Sequence, residues 1–314
     1  MTSENCSVNI TLSILEYACL NQIWFDNVTQ GELRFMANLT IGVVGLGLIG
    51  GSLVKATKKN TKHKVYGFDI SNETVKNALK EKTIDKELTI ENLKECDYVF
   101  IPLYPEAVKE YLIKNAKSFK ADAVVIDCAG VKRCVCDDCF DIAEKNGFTF
   151  IGGHPMAGTQ FSGYENSKDT MFHNSPFILT PKENEDILTL ANAREVIISI
   201  GFGRVSVMTA ERHDKLIAFT SQLAHIVSNA YIKSPSSSQR KGISAGSYKD
   251  LTRVAYLNEN MWTELFLENK DNLIFELDYL IEELKKYSEA MKNDDAILLK
   301  QLLKDGRIAK EKAD

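Results

Sequence analysis

The sequence predicts an α/β fold in which a doubly wound, mostly parallel sheet is followed by an all-α second domain. The first observation is that strand and helix patterns alternate from residue 41 to about residue 207. The second is that strand patterns cease after residue 208, where helical periodicity takes over. We therefore expect a loose N-terminal extension over residues 1–35, a sheet domain over 36–207 and a helical domain over 208–314.

The strands of the sheet domain are short apolar runs such as Ala123-Val-Val-Ile126, which are typical of strands covered on both faces. The predicted strands are 41–44, 64–68, 97–101, 123–127, 148–151, 176–180 and 204–207. The predicted helices between them are 48–59, 72–81, 105–117, 134–145 and 184–200. Strands and helices that alternate in this way predict a parallel sheet with helices on both faces.

The second domain is predicted to be helical throughout, with helices at 210–232, 250–268, 270–292 and 294–311. Thr209 is expected to cap the first of these helices. The serine-rich segment 234–242 predicts a loop. An apolar stripe at helical spacing lies either in the core or in a dimer face. It consists of Leu273, Leu277, Leu280, Ile281 and Leu284.

Composition places the chain among soluble globular proteins, with 44% hydrophobic and 26% charged residues. The net charge of -5 and the lack of a basic block argue against a nucleic-acid surface. No apolar run approaches the length of a membrane helix, and the N-terminus does not resemble a secretory signal. The seven cysteines are an odd number and predict reduced thiols in a cytoplasmic protein. The spacing of Cys134, Cys136 and Cys139 does not match a zinc site, so we expect no metal.

A glycine-rich turn after the first predicted strand indicates a bound ligand. Gly45, Gly47 and Gly50 have the spacing G-x-G-x-x-G, with a strand before them and a helix after them. In a Rossmann fold these glycines allow a tight turn, a close approach of the pyrophosphate and close packing of helix on strand. Leu48 and Ile49 lie in the same turn, where the helix N-terminus favours anions. The turn predicts dinucleotide binding.

Asp69 ends the second predicted strand and bears on the choice of dinucleotide. A carboxylate at this position hydrogen-bonds the ribose 2′-hydroxyl and repels a 2′-phosphate. The following residues, Ile70-Ser71-Asn72, bring no arginine to pair with that phosphate. We therefore predict NAD rather than NADP.

A second cluster, Gly152-Gly-His-Pro-Met-Ala-Gly158, follows the strand 148–151. This is the carboxyl end of a strand, where open α/β sheets bind their ligands. Pro155 holds the backbone of His154 extended, and an imidazole fixed there suits a general base. A core histidine bonded to a backbone carbonyl is an equally good interpretation of this residue alone.

Taken together, the motifs resemble the prephenate dehydrogenase family. The resemblance covers about residues 36–290, and its motifs occur in the family's order. They are the glycine turn, Gly152–Gly158, Thr220-Ser-Gln-Leu-Ala-His225, Asp250-Leu-Thr-Arg253-Val-Ala and Trp262-Thr-Glu-Leu-Phe-Leu-Glu-Asn269. The resemblance implies a Rossmann domain followed by a helical dimerisation domain. It also implies NAD-dependent oxidative decarboxylation of prephenate to 4-hydroxyphenylpyruvate in tyrosine biosynthesis.

The resemblance also implies roles for individual residues. His154 matches the base, and Arg253 matches the arginine that holds a substrate carboxylate. Arg253 could instead form a helix ion pair with Asp250. The remaining implied substrate contacts are His225, Thr159 and Gly130.

Two positions depart from the family pattern. Gln222 stands where the family has a histidine, and Gly130 stands where a serine commonly assists the base. Lys132, in the same segment as Gly130, could orient the loop, although a surface lysine is the simpler interpretation.

Three alternatives remain at this point. The first is arogenate dehydrogenase, which gives tyrosine directly. The second is a β-hydroxyacid dehydrogenase, although here Asn229 precedes Lys233, the reverse of the order that those enzymes need. The third is a nonenzymatic NAD-binding regulator. Under the leading hypothesis the partners are a small cyclohexadienyl substrate and a second copy of the chain, with neither nucleic acid nor membrane.

Overall fold

The computed structural model describes residues 38–239, 242–243 and 245–313. The predicted N-terminal extension, with Cys6 and Cys19, lies outside the described residues. By its internal contacts the chain divides into two compact units. The first unit ends at Asp214 and also takes in Asn258–Glu268, whereas the second comprises Lys215–Leu257 and Asn269–Asp314. This division differs from the predicted boundary at residue 208, because the segments 209–214 and 258–268 group with the first unit.

The first unit is built on an eight-stranded sheet with the order β3-β2-β1-β4-β5-β6-β7-β8. The strands are β1 (Thr40–Val44), β2 (Lys64–Phe68), β3 (Lys86–Glu87), β4 (Tyr98–Ile101), β5 (Val124–Asp127), β6 (Thr149–Pro155), β7 (Pro176–Thr180) and β8 (Arg204–Val207). Every pairing is parallel except that of β6 with β7. The predicted α/β class and mostly parallel sheet are confirmed.

Five helices follow these strands: α1 (Leu48–Asn60), α2 (Asn72–Lys80), α3 (Pro105–Asn115), α4 (Arg133–Asn146) and α5 (Ile187–Ile200). Two clusters of buried apolar residues lie on opposite faces of the sheet, because successive strand residues point to opposite sides. One cluster joins the sheet to α1, α2 and α5, and the other joins it to α3 and α4. The sheet is therefore doubly wound, as the apolar strands predict.

Two strands depart from the prediction. The edge strand β3 has only two residues, both exposed, so it lacks the apolar pattern on which the prediction rests. Strand β6 runs four residues further than predicted, through His154 to Pro155. Its first half pairs with β5, and its second half pairs with β7. Consequently His154 lies within a strand rather than after it.

The helices of the second half of the chain are α6 (Ala210–Ile217), α7 (Ala224–Tyr231), α8 (Gly246–Thr252), α9 (Glu259–Glu268), α10 (Lys270–Lys292) and α11 (Ala296–Ala313). Thr209 Oγ1 accepts the Arg212 N–H at 3.2 Å, which confirms the predicted cap. The predicted helix 210–232 contains a π-helical segment, Ala218–Leu223, between α6 and α7. The predicted single helix 250–268 is wrong, because α8 ends at Thr252 and α9 begins at Glu259.

The second unit leaves much apolar surface exposed. Within the predicted stripe, Leu273 is buried, whereas Leu284 is 58% exposed. Phe275 and Tyr279, on the same helix α10, are 65% and 63% exposed. The segment predicted as a loop contains a 3-10 helix at Pro235–Gln239. No helix in the described residues is both long enough and apolar enough to cross a bilayer.

Candidate active site

The glycine turn joins β1 to α1, and its backbone lies close to β2 at Gly45 and close to α1 at Gly50. Gly45 has φ +101°, a left-handed conformation that side chains other than glycine rarely adopt. Its N–H donates to the Phe68 carbonyl at 2.7 Å, which ties the turn to β2. A Cβ on Gly50 would lie 1.7 Å from the Gly45 carbonyl oxygen. Only glycine at position 50 therefore lets α1 pack this closely on the turn.

Gly47 differs from the other two glycines of the motif because no described residue restricts a side chain there. A Cβ built on Gly47 meets no atom within 4 Å. Gly47 is also the N-cap residue of α1, and no side chain caps the helix there. The first backbone N–H groups of a helix have no partner inside the helix, and they favour an anion. An open, uncapped turn at a helix N-terminus fits a dinucleotide pyrophosphate, with Leu48 and Ile49 as the first helical residues.

Asp69 follows β2 and braces the glycine turn. Its Oδ2 accepts the Leu46 N–H at 2.8 Å, and its Oδ1 accepts the Ser71 N–H at 2.8 Å. The carboxylate is half-buried, and the neighbouring Ile70 is 93% exposed. Because each carboxylate oxygen has two lone pairs, Asp69 keeps acceptor capacity for a ribose hydroxyl.

His154 lies at the end of β6 near the carboxyl end of β5. Its backbone pairs with Ile178 of β7, and the Gly153 N–H donates to Asp127 Oδ1 at 2.9 Å. Its Nδ1 lies 2.9 Å from Nε2 of His213, and the centroids of the two rings are 5.1 Å apart. The imidazole is thus held by another side chain rather than by a backbone carbonyl, which was the alternative interpretation.

Asp214 completes a line of three hydrogen-bonded side chains. Its Oδ1 lies 2.7 Å from Nδ1 of His213, and the carboxylate is fully buried. It also accepts the backbone N–H groups of Lys132 at 2.8 Å and Arg133 at 2.9 Å, where α4 begins. Sequence reasoning missed His213 and Asp214. The adjacent His-Asp pair directly after the Thr209 cap was the available signal.

The electrostatics of the line favour neutral histidines beside a charged aspartate. Burial lowers the pKa of His154 well below its usual range, and the nearby His213 and Lys132 lower it further. Burial also lowers the pKa of His213, against the opposing effect of Asp214. Burial alone would raise the pKa of Asp214, but hydrogen bonds from His213 and from two backbone N–H groups hold it below its usual value. At neutral pH His154 is therefore an uncharged imidazole.

The segment Asp127–Lys132 contains a fully buried ion pair. Lys132 Nζ binds Asp127 Oδ2, and the same oxygen accepts the Ala129 N–H at 2.8 Å. The interpretation of Lys132 as a surface lysine is therefore wrong. Gly130 lies in this segment with Leu265 of α9 beside it, 3.4 Å from the position of a Cβ. A small side chain fits at position 130 without strain, so no contact within the described part of the chain requires glycine there.

The second unit holds the other predicted substrate residues. His225 lies on α7, where its Nδ1 donates to the Ser221 carbonyl at 2.8 Å. Burial lowers the pKa of His225, the bond to Ser221 opposes this shift, and the charge of Arg253 adds to it. Arg253 follows α8 and is exposed, and among the described residues it forms no ion pair with Asp250.

Gln222 has an amide partner in place of the family's histidine. It lies in the π-helical segment and is buried, and its Oε1 accepts from Asn269 Nδ2 at 2.8 Å. Asn269 Oδ1 in turn accepts from Asn272 Nδ2 at 2.9 Å. A chain of uncharged amides therefore anchors the π-helical segment to α10. Segments of this kind are frequent at functional sites.

The predicted residues thus fall into two groups. His154, Gly130 and Thr159 belong to the first unit, and His225 and Arg253 belong to the second. Thr159 is exposed in the loop after β6, where its Oγ1 accepts the Phe161 N–H at 3.3 Å. The described cysteines are buried or half-buried, as expected. In the described ranges no three His, Cys, Asp or Glu residues are grouped to hold a metal ion.

Comparison with known proteins assigns the family. Residues 53–206 match the family model for the prephenate dehydrogenase nucleotide-binding domain, and residues 209–305 match the model for its dimerization domain. Prephenate dehydrogenase of Bacillus subtilis is 32% identical over 266 residues, covering 82% of this chain and 71% of that protein.

Two solved structures are similar over both units. The prephenate dehydrogenase of A. aeolicus, in complex with hydroxyphenyl propionate and NAD+, has a TM-score of 0.77 and 29% identity, covering 90% of this chain and 100% of that one. Synechocystis arogenate dehydrogenase has a TM-score of 0.74 and 26% identity, covering 88% and 100%. Two family models in the expected order, a relative this similar and the glycine turn before them lead to one conclusion: the chain belongs to the prephenate dehydrogenase family.

Proposed function

We propose that this protein is an NAD-dependent prephenate dehydrogenase that converts prephenate to 4-hydroxyphenylpyruvate in tyrosine biosynthesis. The observation that carries the proposal is the neutral His154 imidazole, fixed in β6 at the carboxyl edge of the sheet in a chain of this family. Support for the cofactor comes from the open glycine turn and from the A. aeolicus relative, which is described with NAD+ and a hydroxyphenyl ligand.

The reaction asks three things of the protein: a base, an anion clamp and alignment of the substrate. The glycine turn and Asp69 would hold NAD, whose nicotinamide would supply the acceptor for the hydride from the ring carbon that carries the hydroxyl. His154 takes the hydroxyl proton as that carbon becomes a carbonyl. Loss of the ring carboxylate as carbon dioxide returns its electron pair to the ring, which becomes aromatic, and the phenol oxygen recovers the proton. A positioned base contributes on the order of 10²–10⁴ in rate.

The remaining predicted residues are proposed to bind the substrate. A guanidinium can pair with a carboxylate through two parallel hydrogen bonds, and the exposed Arg253 is available to do so. His225, whose Nδ1 donates to the Ser221 carbonyl, is proposed to contact the substrate through its imidazole. Thr159 offers a hydroxyl, and Gly130 leaves space that a serine would otherwise fill.

The choice of NAD over NADP rests on Asp69. Its carboxylate is fixed by two backbone N–H groups beside the glycine turn, so a 2′-phosphate there would meet a negative charge. We expect kcat/KM to be at least about tenfold higher with NAD than with NADP, a difference of roughly 1.4 kcal/mol. The opposite preference would overturn this role of Asp69.

Arogenate is the second candidate substrate. The similarity to Synechocystis arogenate dehydrogenase extends over 88% of this chain, and this similarity supports arogenate as a candidate. Prephenate and arogenate differ only in a keto group or an amine on the side chain, so one site can admit either.

The dimerization-domain match and the exposed apolar residues of α10 support a homodimer formed through the helical domain.

Two other functions lose their basis. A β-hydroxyacid dehydrogenase needs a lysine followed four residues later by an asparagine, whereas here Asn229 comes first and its amide donates to the Ala255 carbonyl at 3.2 Å. A regulator without activity would have no use for a base held by two further polar side chains.

The test is steady-state kinetics with prephenate and arogenate, each with NAD and NADP. The variant His154→Asn should lower kcat by about 10²-fold or more and leave the dissociation constant for NAD unchanged. The matched control is His63→Asn, because His63 is also a buried histidine but lies at the N–H of Leu39, outside the site. Unaltered turnover in His154→Asn would remove His154 from its role. No turnover of either substrate by the wild-type enzyme would refute the function.

A further inference from the structure

The contacts from Asp214 through His213 to His154 determine which nitrogen atom donates and which accepts in each hydrogen bond. We propose that His213 and Asp214 are positioning residues that fix His154 in the tautomer whose Nε2 carries no proton. This inference rests on the proposed function, because it says which nitrogen of His154 receives the substrate proton.

The donor and acceptor roles are fixed first at Asp214. Two backbone N–H groups, from Lys132 and Arg133, donate to its two carboxylate oxygens. A backbone N–H can only donate, so both oxygens must act as acceptors. These groups belong to the N-terminus of α4, where the helix dipole stabilises a negative charge. Asp214 is therefore held as an ionised acceptor.

The tautomers of both histidines follow from this fixed end. Because Asp214 Oδ1 accepts, Nδ1 of His213 must carry the proton across the 2.7 Å contact. A neutral imidazole has one donor and one acceptor nitrogen, so Nε2 of His213 accepts. Nδ1 of His154 must then carry the proton across the 2.9 Å contact. The one nitrogen of His154 left with a lone pair is Nε2.

The same contacts stabilise His154 once it has taken a proton. Protonated His154 still donates through Nδ1 to His213, and His213 still donates to Asp214, so no proton needs to move along the line. The two neighbouring cations do not take the place of His154 in this line. Lys132 is paired with Asp127, and the side chain of Arg133 lies against Asp214. The arrangement follows the logic of a serine-protease triad, in which a buried aspartate fixes the tautomer of a catalytic histidine.

The first experiment needs neither substrate nor cofactor. The chain has five histidines, so a ¹⁵N–¹H correlation spectrum of the ¹⁵N-labelled apo protein can resolve each ring. At a pH where His154 is neutral, we expect its Nε2 to have the chemical shift of an unprotonated nitrogen and its Nδ1 that of a protonated one. In Asp214→Asn the carboxylate that orders the line is lost, and we expect protonated Nε2 to appear on His154. A wild-type spectrum with the proton on Nε2 of His154 would overturn the proposal.

The second experiment separates positioning from folding. His213→Leu removes the acceptor for His154, and we expect kcat to fall by about 10²-fold with KM little changed. His63→Leu is the matched control, because it makes the same substitution at another buried histidine, and it should retain turnover. His213→Gln should recover most of the lost kcat, since its amide can donate to Asp214 and accept from His154.

The outcomes distinguish this inference from the proposed function. A wild-type enzyme that turns over prephenate or arogenate, combined with a His213→Leu variant as active as His63→Leu, refutes the positioning role alone. A wild-type protein with the expected ¹⁵N shifts but no turnover of either substrate refutes the function alone. If His213→Leu fails to fold, the Asp214→Asn spectrum and the His213→Gln kinetics still decide the matter.

Discussion

The roles of the glycines in the turn can be distinguished by experiment, because a Cβ at Gly47 would meet no atom of the described residues within 4 Å. Gly47→Ala should fold normally and bind NAD weakly, whereas Gly50→Ala should be destabilised. Both variants add one methyl group to the same turn. The difference between them therefore reports whether the turn is open for a ligand or closed by packing.

The expected change in stability follows from the contacts of the added Cβ. At Gly50 it would lie 1.7 Å from the Gly45 carbonyl oxygen, so the backbone itself must move. Overpacking typically costs ~1–3 kcal/mol, and a backbone clash this severe lies at or above the upper end. For a domain of this size ~3 kcal/mol corresponds to a fall in Tm of about 6–12 °C.

At Gly47 two small effects oppose each other. Alanine is a poorer N-cap residue than glycine by roughly 0.5–1 kcal/mol. It also restricts the unfolded chain, which offsets part of this cost, although the ψ of -153° at Gly47 lies just outside the extended region that alanine prefers. Because no atom of the described residues lies within 4 Å of the new methyl group, we expect Tm to fall by no more than about 4 °C.

The expected change in NAD binding is large at Gly47. A methyl group there occupies the space through which a pyrophosphate approaches the helix N-terminus. Loss of one hydrogen bond to a charged phosphate costs about 1.5–3 kcal/mol, which is a rise in Kd of roughly 10- to 100-fold.

The assay is calorimetric titration with NAD, paired with thermal unfolding of each variant. Gly246→Ala is the control, because a Cβ at Gly246 also meets nothing within 4 Å but the residue lies in α8 of the second unit. A Gly47→Ala variant with the NAD affinity of the wild type would refute the assignment of the turn to the cofactor.

Three further predictions concern the substrate site and the buried histidines. Gly130→Ser should fold normally, since its Cβ has ordinary contact distances to Leu265, and should turn over at least as fast as wild type; a large loss of kcat would show that glycine is required. Arg253→Ala should raise KM for the cyclohexadienyl substrate by about 10-fold or more with kcat less affected, and an unchanged KM would exclude the carboxylate clamp. Stability should fall with pH below about 6.5, because a group with a lowered folded pKa takes up its proton first in the unfolded chain; a Tm that stays constant from about pH 7 to pH 5 would contradict this. The histidines with lowered pKa are His63, His154, His213 and His225.

The sheet was largely predictable because its strands are short apolar runs between clear helix patterns. All seven predicted strands are present, and the glycine spacing locates the turn after the first of them. The prediction failed where backbone pairing decides the structure. The second half of β6 contains two glycines and a proline, so only its pairing with β7 reveals it as a strand.

The helical region was predicted less well for a similar reason. A π-helical segment such as Ala218–Leu223 adds one residue to a turn without changing which residues are apolar. The break between α8 and α9 contains no proline or glycine, but it does contain Asn258, whose Oδ1 accepts the Met261 N–H at 3.0 Å and caps α9, a signal that the prediction did not use.

The site was half predictable. Local motifs identified His154 and the glycine turn as candidates, because their chemistry and their place near the carboxyl ends of strands can be deduced from neighbouring residues. The contact between His154 and His213 joins residues 59 positions apart, and no local pattern encodes it. The same holds for Lys132, whose burial depends on the partner that the fold supplies at Asp127.

The pairing of β6 with β5 and β7 limits where insertions and deletions can be tolerated during the evolution of this enzyme. Insertions or deletions between Thr149 and Pro155 would disturb the register of β6, which pairs with β5 over its first half and with β7 over the half that holds His154. The exposed loop that follows, around Thr159, has no such constraint. New substrate preferences should therefore arise in that loop while the proton acceptor stays in place, and a library randomised over residues 158–162 should retain far more folded, active members than one randomised over residues 149–153.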